Sequence, residues 1–431
     1  MKFLVIGCGP AGVVCSMVLR KLNPKASVTV VGREPAFVRC SAPYILSGNV
    51  RMNSCIEPAT VLTSKKIKVV AGEAVGIGKS SVRLSSGKEL AYDRLVIATG
   101  ARPFVPPIKG SRLNGVFVIR SPSDVSSLKN KLRKSRNVAI IGGGMIGAET
   151  ASLLSKRYKV TLIEMLPGVL SASYGREISS CISRELEKSG VGMMLGKPVK
   201  SINGSGSVES VTVGNKTVKA DLVILAAGIR PETALAEKAG IKTGKFGILT
   251  DRRMETSMRN VFAAGDCTQT FSMITRKPLM GGLATTAVLQ GRIAAMNASG
   301  RKALFGGVLN SSVTEICGVS LGSTGMTESR AKDSGIRYIA GKSSTMTKYS
   351  MQPGAKPLFT KLIFDRKQRV IGGQVMGYGG IVPGLIDLIS FAINKRSTRE
   401  ELLMADYSAH PELTSLPFTN PLVMACEDAK A

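Results

Sequence analysis

From Lys2 the chain alternates short apolar runs with segments of helical spacing. KFLVI (residues 2–6) has the length of a strand and no polar interruption after its first residue, the pattern of a strand buried on both faces of a parallel sheet. A glycine turn, GCGPAG, leads from it into the helical VVCSMVLRKL and a second apolar run, SVTVV. Residues 137–164 repeat the order as NVAIIGGGMIGAE, TASLLSKRY and KVTLIE, so that Gly7, Gly9 and Gly12 superpose on Gly142, Gly144 and Gly147. The repeat predicts two dinucleotide-binding βαβ units.

A second pair of segments, YDRLVIATGARP (residues 92–103) and ADLVILAAGIRP (residues 220–231), reads as strands ending in small residues. Short alternating stretches precede each, at residues 67–90 and 199–218, and predict a β-meander inserted in each unit. NVFAAGDC (residues 260–267) is a further strand without a dinucleotide turn of its own. It reads as the last strand of the first unit, returning with a helix at 284–297 after the second unit is complete. From residue 323 onward strands and the helical LIDLISFAINK predict a separate domain. The expected fold class is α/β: two Rossmann-like dinucleotide-binding domains and a C-terminal α+β domain. The expected boundaries are 1–112 with 250–322, then 113–249, then 323–431.

The glycine turns carry the first chemistry. Such a turn brings backbone close to a pyrophosphate at a helix N-terminus, and a carboxylate at the end of the next strand bonds the ribose hydroxyls. In the second unit that carboxylate is Glu164, closing VTLIE; in the first, Gly32 stands at the matching place and Glu34 is the nearest carboxylate. Glu164 would accept from a 2′-hydroxyl and repel a 2′-phosphate, and Met165 and Leu166 offer no cation. NADH is favoured, with NADPH left open by the charge of the chain.

That charge is +30 over 431 residues, from 59 Lys and Arg against 29 Asp and Glu. Nucleic acid would be the ordinary suspect, but the basic residues are scattered, the densest group being Lys129, Lys131, Arg133, Lys134 and Arg136. No basic arm, finger or aromatic-interleaved motif accompanies them, so no dedicated nucleic-acid or membrane binding is expected. The eight cysteines form no CxxC and no zinc-like spacing, so no metal is expected. Without a secretory pattern or an apolar run of roughly 18 residues, the expectation is a cytoplasmic, reduced protein.

Taken together, these segments resemble the FAD-dependent pyridine nucleotide-disulfide oxidoreductases, and within them the single-cysteine branch of CoA-disulfide reductases and NADH oxidases. The resemblance spans nearly the whole chain. It implies an FAD site built from Gly7, Gly9, Pro10, Ala11, Gly12, Glu34, the crossover Ala98, Thr99 and Gly100, and Asp266 of VFAAGDC, with Ala284 and Thr285 near the flavin ring. It implies an NADH site built from Gly142, Gly144, Met145, Ile146, Gly147, Glu149, Glu164 and Gly228 of the second crossover. The C-terminal region resembles a dimerisation domain, which implies a homodimer.

FVRCSAPYILSG (residues 37–48) resembles the branch's Cys-x-x-Pro-Tyr segment and puts Cys40 near the flavin. Independently, Cys40 precedes a helical segment with Pro43 in its first turn, and Arg39 is adjacent, so a helix dipole and a cation both favour thiolate. Two-cysteine relatives carry a second cysteine five residues on, where this chain has Ile45. Cys40 is therefore expected to work through a mixed disulfide, a persulfide or a sulfenic acid. NADH oxidases and peroxidases of the branch have a histidine in the first glycine turn where Pro10 stands, which shifts weight to sulfur reduction. The resemblance also implies Tyr407 and His410, the single histidine, as candidates for proton transfer, since two-cysteine relatives use a His-Pro near the C-terminus and CoA-disulfide reductases use tyrosines in this region. The function so read is NAD(P)H-dependent reduction of a small disulfide or persulfide, such as CoA disulfide or polysulfide, through Cys40. The alternatives are reduction of oxygen at the flavin and reduction of an electron-carrier protein such as rubredoxin.

Overall fold

A computed structural model describes residues 1–57 and 59–430. Two compact units divide the chain, and neither is continuous: the first holds residues 1–104, 119–128 and 228–308, the second residues 105–118, 129–227 and 309–431.

In the first unit a five-stranded parallel sheet runs in the order Val261–Ala263, Arg94–Ile97, Lys2–Ile6, Ser27–Gly32, Lys68–Ala71. The strand at 261–263 thus closes one edge of a sheet begun at Lys2. Both faces are covered, which is why KFLVI has no polar alternation. Phe3 and Val5 enter a core with Ala11, Cys15, Leu19 and Ala294 of the helices, while Leu4 and Ile6 enter another with Val82, Leu84 and Tyr92. The second of these cores includes the three-stranded antiparallel meander Ala74–Ile77, Ser81–Leu84, Glu89–Ala91. The preceding strand, Lys68–Ala71, pairs in the parallel sheet rather than in the meander.

The second unit repeats this layout. Its parallel sheet runs Val116–Val118, Leu222–Leu225, Asn137–Ile141, Lys159–Glu164, Gly192–Leu195, with a meander of Val199–Asn203, Ser210–Val213 and Lys216–Lys219. The same unit contains a five-stranded antiparallel sheet, in the order Ser312–Ile316, Val319–Gly325, Val370–Gly377, Pro357–Asp365, Tyr338–Met346. This sheet takes in one strand ahead of residue 323, Ser312–Ile316, and a second, Val319–Gly325, that spans it. The segment SVTEICGVSLGSTG is rich in small and hydroxylated residues and lacks the bulky alternation that marks a strand in sequence. Gly322 is needed there because a Cβ would collide with Ile386 of the helix Ile381–Lys395 packed against it.

Buried Lys361, on Pro357–Asp365, reaches Glu177 at 2.6 Å and Glu328 at 2.5 Å, and Gly175 N–H donates to Gln374 at 3.0 Å. These contacts tie the helix Arg176–Lys188 to the antiparallel sheet. Among the described residues, no helix is long and apolar enough to cross a membrane, and no group of three or more His, Cys, Asp or Glu is placed to hold a metal ion.

Candidate functional site

The two glycine turns adopt the same local geometry. Gly7 and Gly142 sit at φ +117° and +114°, and their N–H groups donate to Val31 and Ile163 of the next strand at 2.7 and 2.8 Å. A side chain at either would strike the carbonyl of Ala98 or Ala226, the small residues that end the crossover strands. Helices Pro10–Leu22 and Met145–Leu154 then begin on extended Gly9 and Gly144, and no side chain caps either. Their first-turn N–H groups are left for a ligand, and the helix dipole adds positive potential there.

In the first unit this turn opens into a cavity of about 530 Å³. Gly7, Gly9, Pro10, Ala11, Glu34, Ala98, Thr99, Gly100 and Asp266 all line it. Gly12 does not; it is buried behind the turn, where a Cβ would strike the Gly7 carbonyl. Ala284 and Thr285 lie outside the lining, exposed at the start of the helix Ala284–Ala298, which instead contributes Ala287. Thr99 is held by its hydroxyl, which donates to Glu232 O at 2.8 Å.

Five cations absent from the predicted site also line the cavity, Arg33, Arg39, Arg102, Arg120 and Lys238, and two of them, Arg39 and Arg120, are perturbed by their surroundings. Burial lowers the pKa of both; Arg39 further lowers that of Arg120, while Asp266 and Glu34 oppose the shift in each. Arg120 falls to about 10. Burial raises the Asp266 pKa, and Arg120 and then Arg39 pull it back. Arg120 lies over the crossover turn, 3.1 Å from where Gly100 would carry a Cβ. Its segment, VIRSPSD, has no periodicity that would single it out in sequence.

These features fit FAD. The volume lies within the roughly 300–1,000 Å³ of small-molecule sites. The lining supplies an uncapped helix N-terminus and guanidinium groups for a pyrophosphate, with Asp266 as an acceptor for hydroxyls.

In the second unit, a Cβ at exposed Gly144 would meet nothing within 4 Å, so the turn has room for a ligand. Met145 is half-buried, Ile146 is exposed and Gly147 is buried at the start of the helix. Glu164 Oε2 accepts from Gly143 N–H at 2.5 Å and Oε1 from Leu166 N–H at 2.8 Å, fixing the carboxylate at the strand end. Glu149 is turned toward the antiparallel sheet, where it accepts a hydrogen bond from the Thr314 hydroxyl. Burial raises its pKa, and the Thr314 bond offsets part of the rise. Gly228, at φ +100°, belongs to the first unit, where its carbonyl accepts from Phe104 N–H at 2.9 Å.

Cys40 lies in a single 3₁₀ turn, Arg39–Ser41, ahead of the helix Ala42–Ser47, with Pro43 in that helix's first turn. It is exposed, and it does not line the cavity, whereas its neighbour Arg39 does. All eight cysteines are free. Cys15, Cys55, Cys267 and Cys426 are buried, and Cys8, Cys181 and Cys317 are half-buried. Burial pushes up the thiol pKa of Cys8, Cys15 and Cys267, and that of Cys426 to about 12. Tyr407 is half-buried with its hydroxyl donating to Leu402 O at 2.9 Å, and burial, then Cys426, raises its pKa to about 12. His410 is exposed, its Nδ1 accepting from Glu412 N–H at 3.2 Å.

Two dinucleotide-type turns, one opening on a cavity whose lining fits FAD and one with a fixed carboxylate at the end of the next strand, are the frame expected of a flavin- and nicotinamide-dependent oxidoreductase. Residues 1–291 match the family described as pyridine nucleotide-disulphide oxidoreductase, and residues 312–418 match that family's dimerisation domain. The chain belongs to this family, and it is an NAD(P)H-dependent flavoprotein oxidoreductase. It is 34% identical over 444 residues to a Methanocaldococcus jannaschii protein named NADH oxidase, covering 100% of this chain and 98% of that one. It is 32% identical over 438 residues to the Pyrococcus horikoshii NAD(P)H coenzyme A polysulfide/persulfide reductase, covering 98% and 97%. Among solved structures, the NAD-dependent persulfide reductase of A. fulgidus superposes with a TM-score of 0.94 at 30% identity, over 99% of this chain and 82% of that one.

Proposed function

We propose that the chain is an NAD(P)H-dependent reductase of small disulfides or persulfides, with Cys40 as its redox thiol. One observation carries the reading: of eight cysteines, only Cys40 is exposed, and it stands in a turn beside a residue that lines the cofactor cavity. FAD held by the Gly7–Gly9 turn and the cavity lining would supply the two electrons for sulfur, taken from NAD(P)H.

The chain's own residues do the rest. Cys40 as thiolate attacks one sulfur of a disulfide R–S–S–R, forms a mixed disulfide and releases RS⁻, which takes a proton from solvent. Two electrons then cleave the mixed disulfide, releasing the second thiol and restoring the Cys40 thiolate. With a persulfide R–S–SH, the thiolate attacks the outer sulfur and the S–S bond breaks to release RS⁻; two electrons and a proton then free that sulfur from Cys40 as hydrogen sulfide and restore the thiolate. Ile45 occupies the place where a second cysteine would resolve the mixed disulfide, so this segment offers no resolving thiol there and the cofactor would supply the electrons.

The NADH site uses Gly142, Gly144, Met145, Ile146 and Gly147 for the dinucleotide phosphates and Glu164 for the ribose, which favours NADH. Exposed His410 is the better placed proton carrier at the C-terminus, because the Tyr407 hydroxyl is committed to Leu402. The dimerisation domain supports a homodimer, and a reduced cytoplasm suits a free reactive thiol.

Reduction of oxygen is the second reading. It is favoured by the relative named NADH oxidase, which covers the whole chain. Cys40→Ser separates the two: disulfide and polysulfide turnover should fall by about 100-fold or more, as for loss of a nucleophile. Oxygen-dependent NADH consumption should persist. Disulfide turnover at the wild-type rate in the variant overturns the first reading.

A further inference from the structure

We infer that Arg39 holds the phosphates of the cofactor in the first unit, so that the cation next to Cys40 serves the cofactor rather than the thiol. The inference rests on the reading of this cavity as the FAD site. It concerns a residue that sequence proximity assigns to the thiol.

Three observations converge. Arg39 lines the cavity and its guanidinium stands beside the glycine turn, with Nη1 3.7 Å from where Gly9 would carry a Cβ. Cys40 is exposed and absent from that lining, so consecutive residues of one turn point to different surroundings. Among the described residues Arg39 makes no ion pair, although it is half-buried. A half-buried guanidinium gains from a close acceptor, and among the described residues Asp266 and Glu34 supply longer-range attraction without an ion pair.

The acceptor's chemistry follows from what else aims at the same place. Gly9 is the residue on which the helix Pro10–Leu22 begins, so the positive end of a 13-residue helix and the guanidinium meet at one point. A pyrophosphate presents several oxygens and more than one negative charge, and can use both at once. A lone thiolate could not. Because Arg39, Cys40 and Ser41 share one 3₁₀ turn, holding Arg39 also fixes the backbone that carries Cys40.

Deflavinated protein titrated with FAD and with riboflavin, which has no phosphate, tests this by flavin fluorescence. Arg39→Gln should weaken FAD by about tenfold or more, the size expected for a charged hydrogen bond, and leave riboflavin unchanged. Arg39→Lys, which keeps the charge without the fork, should fall between. Thermal unfolding of the deflavinated variants checks that each is folded; if the Gln variant is not, the Lys variant carries the test. Unchanged FAD affinity, or equal weakening of FAD and riboflavin, overturns the inference. Failure of the thiol reading is separate: Cys40→Ser with full disulfide turnover would remove that role and leave the Arg39 titration intact. Failure of wild-type protein to bind FAD at all would break the cavity assignment itself.

Discussion

The two glycine turns share a backbone and differ in where they put their bulk. In the first, the middle residue is Cys8 and the facing strand end is Gly32; in the second, the middle residue is Gly143 and the strand end is Glu164. A Cβ on Gly32 would collide with Cys8 Sγ, while one on Gly143 would press on the Glu164 side chain at 3.0 Å. There is room for one side chain across each turn. The second unit spends that room on a carboxylate that the Gly143 N–H also fixes at 2.5 Å. The first fills it with a half-buried thiol and leaves Glu34, beyond the strand end, to line the cavity.

The covers of the two helices differ as well. Pro10–Leu22 packs on the helix Ala284–Ala298, so closely that a Cβ on Gly291 would strike the Ala11 carbonyl. Met145–Leu154 packs on the strand Ser312–Ile316, through the Thr314 bond to Glu149 and the Cys317 N–H donated to Ser152 Oγ at 2.9 Å. Where the second helix carries Glu149, the first carries Val14. One motif thus serves two settings, and the motif alone does not say which ligand contacts survive in each.

The largest effect should come from forcing the first turn to imitate the second. Gly32→Glu places a side chain against Cys8, and overpacking of this kind costs about 1–3 kcal/mol. The variant should purify with little flavin, read from the ratio of flavin to protein absorbance. Cys8→Gly in the same chain, which recreates the second unit's pairing, should restore a large part of it. Full flavin content in the single variant would break the one-side-chain rule.

A smaller effect is expected from the converse cut. Glu164→Ala removes the proposed ribose acceptor and the fixed end of the turn, and should raise KM for NADH by about tenfold with kcat little changed. KM for NADPH should rise less or fall, because a carboxylate facing the 2′-phosphate is gone. Equal changes for both nucleotides would show that Glu164 only shapes the turn.

Much of this was legible in the sequence, and the exceptions share a cause. Parallel strands hide both faces, so KFLVI and NVAII announced themselves, and two superposed glycine sets fixed the repeat. The missing carboxylate at Gly32 was also visible. Its reason was not, because Cys8 and Gly32 meet only across the Gly7 N–H bond to Val31. Arg39 was visible as the neighbour of Cys40, yet its direction depends on a 3₁₀ turn that no spacing rule reveals. Arg120 sits in an aperiodic link, and Ser312–Gly325 hides two strands in small and hydroxylated residues. Chain direction and periodicity carried the fold; side-chain aim, which decides the site, came only from three dimensions.

Glu149 gives the smallest effect and the one confined to the second unit. Burial raises its pKa, so the folded protein binds this proton more tightly than the unfolded chain. Its favourable contribution is therefore present below the ordinary carboxylate range and is lost as pH rises through the raised folded value. Above that folded value, the fold holds an ionised carboxylate against the Thr314 hydroxyl at a cost. Glu149→Gln keeps an acceptor for Thr314 and removes the charge, so without nucleotide it should raise Tm at pH 7–8 by about 1–3 °C. The gain should shrink toward zero as the pH is lowered to about 4, near the unperturbed carboxylate. Differential scanning calorimetry across that range decides it. A gain independent of pH would assign the effect to packing, and a loss at pH 8 would mean that the ionised carboxylate is stabilising. Either result would remove burial of Glu149 as the distinction between the two helices, because the first unit's Val14 has no proton to lose.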